Sequence, residues 1–206
     1  MSLPDPSAPG PGRGSSARLS DEELAAAAVD GDRGAFAELF HRYSARVRQF
    51  VAWQAGGRTE RTEDLVQEIF LQVYRSLHRF AGRSRFRTWL YGTARNVCLH
   101  ERRRRRRRPE PIGQEGDDRP LDAIPDLSPG IAERLAAGEL RRAVRREVER
   151  LPEIHRTVLV LRDWEELAYA EIAEVLEVPV GTVRSRLHQA RARLATALRD
   201  LMEEGR

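Results

Sequence analysis

The sequence predicts an all-α protein: two small helical domains joined by a flexible acidic linker. Apolar residues recur every three to four positions through most of the chain. Runs of alternating strand type are absent, and the only β-branched-rich piece, Thr157–Leu161, lies inside a helical pattern. The helical segments fall on either side of a stretch at 109–130 rich in Pro, Gly and acid, which reads as a linker and a domain boundary. At 206 residues the chain can supply two cores.

Residues 1–19 carry Pro, Gly and Ser but few large apolar side chains, so they cannot offset their ordering entropy and are expected to be a disordered tail. The first domain spans 20–108. Ser20-Asp21-Glu22-Glu23 has the form of a capping box, and a short helix follows to Val29 before Gly31. Ala35–Gln54 places Phe36, Leu39, Phe40, Tyr43, Val47 and Phe50 on one side, so this helix should face the core, with Gly56-Gly57 ending it. Thr62 can cap the next helix, whose stripe is Leu65, Ile69, Val73 and Leu77 with Val66, Phe70 and Tyr74 beside it. Asp64, Gln67, Glu68 and Gln72 share another face at i, i+3, i+4 and i+8, a carboxylate-bearing surface in a basic protein.

After a loop around Gly82, Phe86–Arg108 reads as one helix with Phe86, Trp89 or Leu90, Thr93 and Val97 inward, stopped by Pro109. It ends in seven successive arginines, Arg102–Arg108. These repel one another along a helix by a few tenths of a kcal/mol per i,i+4 pair, so the run gains most when a polyanion neutralises it. The second domain, 131–206, follows a cap at Ser128-Pro129. One helix carries Leu135, Leu140, Val144, Val148 and Leu151 to Pro152, and Glu153–Trp164 forms another with Ile154, Val158, Leu159 and Leu161 apolar. Tyr169–Leu176, the turn Glu177-Val178-Pro179 and Gly181–Leu201 have helix-turn-helix spacing. The last helix turns Val183, Leu187, Ala190, Leu194 and Leu198 inward and the donors Arg184, Ser185, His188, Gln189, Arg191 and Arg193 outward, a set suited to base edges and phosphates in a major groove.

The 36 basic residues are all arginine, against 32 acids. Positive charge concentrates at Arg102–Arg108 and around Arg184–Arg193, the footprint of a nucleic-acid partner. The single Cys98 excludes an internal disulfide, no apolar run approaches the ~20 residues of a membrane span, and no signal peptide is present, so a cytoplasmic protein without membrane insertion is expected. The five histidines are dispersed, and no nucleophile–base or metal-ligand spacing occurs, so neither catalysis nor a cofactor or metal is expected.

Three segments in this order carry a family resemblance. Asp64–Tyr74 (DLVQEIFLQVY), Phe86–Asn96 (FRTWLYGTARN) and Leu151–Leu194 resemble the core-binding helix, the minus-10 signature and region 4 of the sigma-70 family. The chain is similar to the compact extracytoplasmic-function (ECF) group of RNA polymerase sigma factors. The resemblance implies a transcription initiation factor that binds core RNA polymerase, through the clamp of its largest subunit and the flap of its second largest, and reads promoter DNA in duplex and single-stranded form. It places Asp64, Gln67, Glu68 and Phe70 on the polymerase. Phe80, Arg83, Ser84 and Phe86 fall on the loop that captures a flipped minus-10 base, and Asn96, His100 and Arg103 on the adjoining reader. Arg184, Ser185, Arg186, His188, Gln189 and Arg193 fall at the minus-35 element. An anti-sigma factor is a further implied partner. Three positions depart from the family pattern: His100 stands where an acid or amide is common, Ala168 replaces a capping serine, and Glu177 replaces a turn glycine, which requires φ there to stay negative. Gln189 stands where arginine is frequent, and its amide matches adenine N6 and N7. A stand-alone helix-turn-helix regulator and an arginine-rich RNA adaptor are the alternatives; the polar face of Asp64–Tyr74 argues against the first and the helix-turn-helix against the second.

Overall fold

The computed structural model describes residues 19–55, 61–80, 82–107 and 131–204. The expected tail, the linker, the Gly56-Gly57 stop and the Ser128-Pro129 cap lie outside the described residues. The described chain is helical: α1 Asp21–Val29, α2 Arg33–Ala55, α3 Thr62–Ser76 with a 3₁₀ turn at Leu77–Arg79, α4 Phe86–Arg107, α5 Ile131–Arg150, α6 Glu153–Asp163, α7 Tyr169–Leu176 and α8 Val180–Glu204.

Helix starts follow local chemistry. The Ser20 hydroxyl accepts the Glu23 N–H at 3.2 Å while the Glu23 carboxylate accepts the Ser20 N–H at 2.7 Å, completing the capping box of α1. Asp32 caps α2 by accepting the Gly34 and Ala35 N–H groups at 2.8 and 3.1 Å. Thr62 does not cap α3: Arg61 occupies the cap position without a side-chain bond to the helix start, and Thr62 is the first helical residue and buried. The start of α3 is tied instead to α2 by the Arg48–Glu63 pair, at 2.5 and 3.0 Å. At α7, Ala168 offers no hydroxyl, but the Glu171 carboxylate still accepts the Ala168 N–H at 2.7 Å, so half a capping box survives.

Glu177 overturns the expectation of a negative φ: it sits at φ 55°, ψ 45°, the left-handed region. The turn needs that conformation because Val178 must swing under α7, where its N–H reaches the Ala173 carbonyl at 3.0 Å and its side chain packs on the core. Glu166 repeats the device at φ 56°, bringing the fully buried Leu167 under α6 with its N–H on the Leu161 carbonyl at 3.0 Å.

Helices α1–α4 form one bundle and α5–α8 another, and the two share a continuous apolar core. α6 is buried nearly all round, with Thr157, Val158, Leu159, Val160 and Leu161 all inaccessible, because α8 and α7 cover one side and α2 covers the other. α2 answers with Phe50, Val51, Ala52 and Trp53, also consecutive and buried. Several residues expected inside are not there. Phe40 and Tyr74 are 41% and 48% exposed, since the shared stripe of α2 and α3 is wider than one neighbour can cover. Leu140 and Ile154 are 56% and 53% exposed, on parts of α5 and α6 that turn away from α8.

Both left-handed glutamates are exposed and form no contact a glycine would lose. A non-glycine residue pays about 1–2 kcal/mol there, of which glycine returns roughly 0.5–1 in unfolded-state entropy. Glu166→Gly and Glu177→Gly should therefore each stabilise by about 0.5–1 kcal/mol and raise Tm by about 1–3 °C in thermal unfolding. A lower Tm for both would contradict this account of the turns.

Candidate nucleic-acid interface

On α3, Asp64, Gln67, Glu68 and Gln72 are all exposed, as one polar face. Phe70 is not part of it: it is 4% exposed and packs edge-on against Phe40 at 4.7 Å, so it supports the face from beneath and cannot touch a partner. Beside the face the structure exposes Phe40, Leu71 and Tyr74, which sequence reasoning missed; the first and last follow the same periodicity as true core residues.

The loop into α4 keeps Arg83 exposed and Ser84 half-buried, with Gly82 at φ 65° making the bend. Phe80 is partly open and lies 5.9 Å from Phe86 and 5.5 Å from Trp89, an aromatic wall beside the loop. Phe86 itself is fully buried against Tyr43 at 5.8 Å, and its N–H donates to Glu22 at 3.1 Å. It is a core residue and starts the helix, because the apolar stripe of α4 begins with it.

α4 presents three faces. Taking roughly 100° per residue, Phe86, Leu90, Thr93, Ala94 and Val97 fall together and pack inward. Arg87, Tyr91, Arg95 and Arg102 fall on a second face that docks on the α5–α8 bundle. Asn96, His100 and Arg103 are exposed on a third, opposite the second. The docking contacts are specific. Arg87 holds the Glu171 carboxylate with three bonds, at 2.8, 3.1 and 3.3 Å, with Arg85 at 3.7 Å from the same group. The Tyr91 hydroxyl donates to Glu165, Arg95 reaches the Val175 carbonyl at 3.5 Å, and Arg102 pairs with Glu153. From α2, Gln54 donates to Thr157 at 3.1 Å and Trp53 lies 5.5 Å from Trp164. None of these cross-bundle partners was legible from spacing alone.

On α8, Arg184, Ser185, His188, Gln189 and Arg193 are exposed along the second helix of the helix-turn-helix, and Arg186 is half-buried. The Ser185 hydroxyl donates to the Thr182 carbonyl at 3.1 Å, so as a free donor it must first leave its own helix. Arg191 points outward, but toward α6, where it pairs with Asp163 at 2.5 Å.

The electrostatics separate structural from solvent-facing acids. Burial alone would raise the Glu171 carboxyl, but the Ala168 N–H and the Arg87 guanidinium outweigh it and hold the group below its ordinary range. Glu165 goes the other way: burial raises it, and the Tyr91 hydroxyl offsets only part. Burial, with the Glu68 charge second, pushes Cys98 up to about 12, so its thiol stays neutral. Among the described residues no three His, Cys, Asp or Glu side chains converge as a metal site, and no helix is long and apolar enough to cross a membrane.

The pattern described as Sigma-70 region 2 matches residues 39–108, and that described as Sigma-70, region 4 matches 141–194. The chain is 35% identical over 189 residues to the RNA polymerase sigma-H factor of Pseudomonas aeruginosa, spanning 89% of this chain and 96% of that protein. It is 34% identical over 178 residues to the ECF RNA polymerase sigma factor SigW of Bacillus subtilis, spanning 83% and 92%. Among solved structures, CnrH in complex with the cytosolic domain of CnrY superposes with TM-score 0.62 at 25% identity, over 88% of this chain and 99% of that one. The sigma factor RpoE of Bartonella quintana, in complex with the anti-sigma factor NepR, shares the fold at TM-score 0.63 and 20% identity, over 80% and 96%.

A carboxyl with a raised folded pKa favours the fold below its ordinary value of 4.5 and loses that contribution as pH rises through the folded value. Glu165→Gln keeps an oxygen to accept the Tyr91 hydroxyl and removes the buried charge. Relative to wild type, this variant should therefore gain stability as pH rises above 4.5 in urea unfolding across pH. Parallel pH profiles for the two chains would contradict the buried-charge assignment.

Proposed function

Because this chain belongs to the sigma-70 family of RNA polymerase sigma factors, in its ECF group, we propose that it initiates transcription by carrying core polymerase to promoters whose minus-35 and minus-10 elements it reads on separate domains. The observation that carries the reading is that α3, α4 and α8 each keep one polar face exposed, while their other faces build the core. In this reading 20–108 is the polymerase and minus-10 domain, 131–206 the minus-35 domain, 109–130 the linker between them and 1–19 a tail. The chain binds and positions; it performs no chemistry of its own, and it acts in the cytoplasm.

Asp64, Gln67 and Glu68 dock on the clamp of the largest polymerase subunit, with Phe40, Leu71 and Tyr74 as apolar neighbours, and the second domain meets the flap. The aromatic wall of Phe80 and Trp89, with Arg83 and Ser84, suits a flipped minus-10 base, whose unpairing costs a few kcal/mol that stacking must offset. Asn96, His100 and Arg103 face the same element. Arg184, His188 and Gln189 read minus-35, Gln189 pairing with adenine, and Arg186 and Arg193 take phosphates. An anti-sigma factor is a fitting restraint, since the sigma factor RpoE of Bartonella quintana is seen in complex with the anti-sigma factor NepR.

The closed packing constrains this mechanism. By their names the two elements lie about 25 base pairs apart, roughly 85 Å along straight duplex at ~3.4 Å per pair. α4 and α8, of 22 and 25 residues, would reach only ~70 Å even laid end to end. Both elements cannot be held while Arg87 grips Glu171, so the bundles must separate on the promoter.

Charge reversal tests the docking face. An Asp64→Arg, Glu68→Arg variant should keep its helical circular dichroism but lose core polymerase in a pull-down by tenfold or more, and lose run-off transcription with it. Wild-type binding by a folded variant would sink the assignment.

A further inference from the structure

The aromatic wall assigned to the flipped base stands on the first turn of α4, and the adjoining sequence does not cap that turn. The Arg85 carbonyl accepts the Trp89 N–H at 3.2 Å, which puts Arg85 at the cap position. An arginine side chain has no acceptor to offer the unpaired N–H groups that follow it. Charge opposes the start as well. The first turn contains no acid, while Arg83, Arg85 and Arg87 gather at the positive end of the helix dipole.

Two acids from distant helices supply what is missing. Glu22 on α1 accepts the Phe86 N–H at 3.1 Å, and Glu171 on α7 takes Arg85, Arg87 and the Thr88 hydroxyl, the last at 3.4 Å. α1 also packs against the 3₁₀ turn that leads into the loop and against α4, which leaves it, so it spans both ends. The neighbour of Glu22 fixes Phe86 by its ring. Asp21 accepts the Tyr43 hydroxyl, and Arg42 at 3.0 Å, and Tyr43 meets the Phe86 ring edge-on at 5.8 Å. Phe86 in turn lies 5.9 Å from Phe80 and 6.1 Å from Trp89.

The two acids differ in which bundle carries them. Glu171 moves away when the bundles separate on the promoter, whereas Glu22 belongs to the bundle that contains α4 and stays. The start of α4 is thus held twice in the closed chain and by Glu22 alone of these two in the open one. Glu22 is exposed and lies outside the core, so its removal opens no cavity.

We propose that Glu22 is a positioning residue for base capture: by capping α4 from α1, it holds the wall of Phe80 and Trp89 in place for the flipped minus-10 base once Glu171 has left. This role rests on the reading of the loop between them as the flipped-base pocket, and it gives α1 a part in promoter opening without any contact to DNA.

The test uses holoenzyme reconstituted with wild type, Glu22→Gln, Glu22→Ala, Arg85→Ser, and the Glu22→Ala, Arg85→Ser double variant. Each is bound to a forked template whose minus-10 strand is unpaired, and to the same template made abasic at one minus-10 position at a time. Glu22→Ala should weaken the forked template by about three- to tenfold, and should lose the wild-type preference for a base at the flipped position only. Glu22→Gln keeps an acceptor oxygen and should stay within about twofold of wild type. Serine at position 85 is itself a cap, so in that background Glu22→Ala should cost less than about twofold. The free Glu22→Ala chain should unfold within about 2 °C of wild type, because closure keeps Glu171 on the same turn. Unchanged binding with an intact base preference in Glu22→Ala overturns the role, as does an undiminished cost in the Arg85→Ser background. A large drop in Tm with equal losses at every position would make Glu22 a fold residue and overturns it too. A wild-type holoenzyme that prefers a base at no minus-10 position would instead overturn the reading of the loop beneath it.

Discussion

The contact on which the structure turns is between two helical stretches that are buried on all sides. Phe50–Trp53 of α2 and Thr157–Leu161 of α6 are consecutive buried stretches, and neither bundle alone can cover its own. Each large side chain fully buried there gains about 1.5–3 kcal/mol over exposure, whereas the partly exposed ion pairs around the seam contribute about 0–1 kcal/mol each. Apolar area therefore holds the bundles together, and the polar pairs fix how they meet. Arg87 on Glu171 sets the register of α7 on α4. Glu165 works against closure, since its burial costs more than the Tyr91 hydroxyl returns.

The division of α4 into faces lets one helix serve this seam without surrendering its surface. Its core face begins with Phe86 and ends at Val97; its docking face runs from Arg87 to Arg102; its exposed line runs opposite, from Asn96 toward the arginine end. Closure therefore leaves the side chains proposed to read bases open, while forbidding the separation that the proposed contacts to two promoter elements demand. The seam limits how far apart the readers sit, not whether each can be reached. That suits an initiation factor whose contacts are completed only on polymerase, where binding energy can be spent on opening.

Much of this was legible before the structure. Capping chemistry placed α1, the Leu176 end came from the turn signal after it, and the helix-turn-helix emerged with its inward Val183, Leu187 and Ala190. What failed did so for tertiary reasons. Phe70 and Phe86 carry residue types that also serve at interfaces, and only their neighbours Phe40 and Tyr43 reveal them as core. Phe40, Tyr74 and Leu140 follow the right period yet stay about half exposed; Phe40 and Tyr74 are covered on one side only, by Phe70 and Phe36. Glu177 was expected to avoid the left-handed region, but packing the half-buried Val178 on the core outweighed that cost. One signal was present and unread. Five consecutive residues without a charge in Thr157–Leu161, and four in Phe50–Trp53, are more than a helix covered on one side needs, and they foretell a seam.

The central claim is that this seam closes the free chain and must part on the promoter. The most direct measurement is energy transfer between dyes on Ala45→Cys and Ala195→Cys, both exposed, in a Cys98→Ala background. The free chain should give one high-efficiency population that collapses to low transfer when core polymerase and a promoter carrying both elements are added together. A free chain already at low transfer, or a promoter complex that keeps the high value, would contradict it.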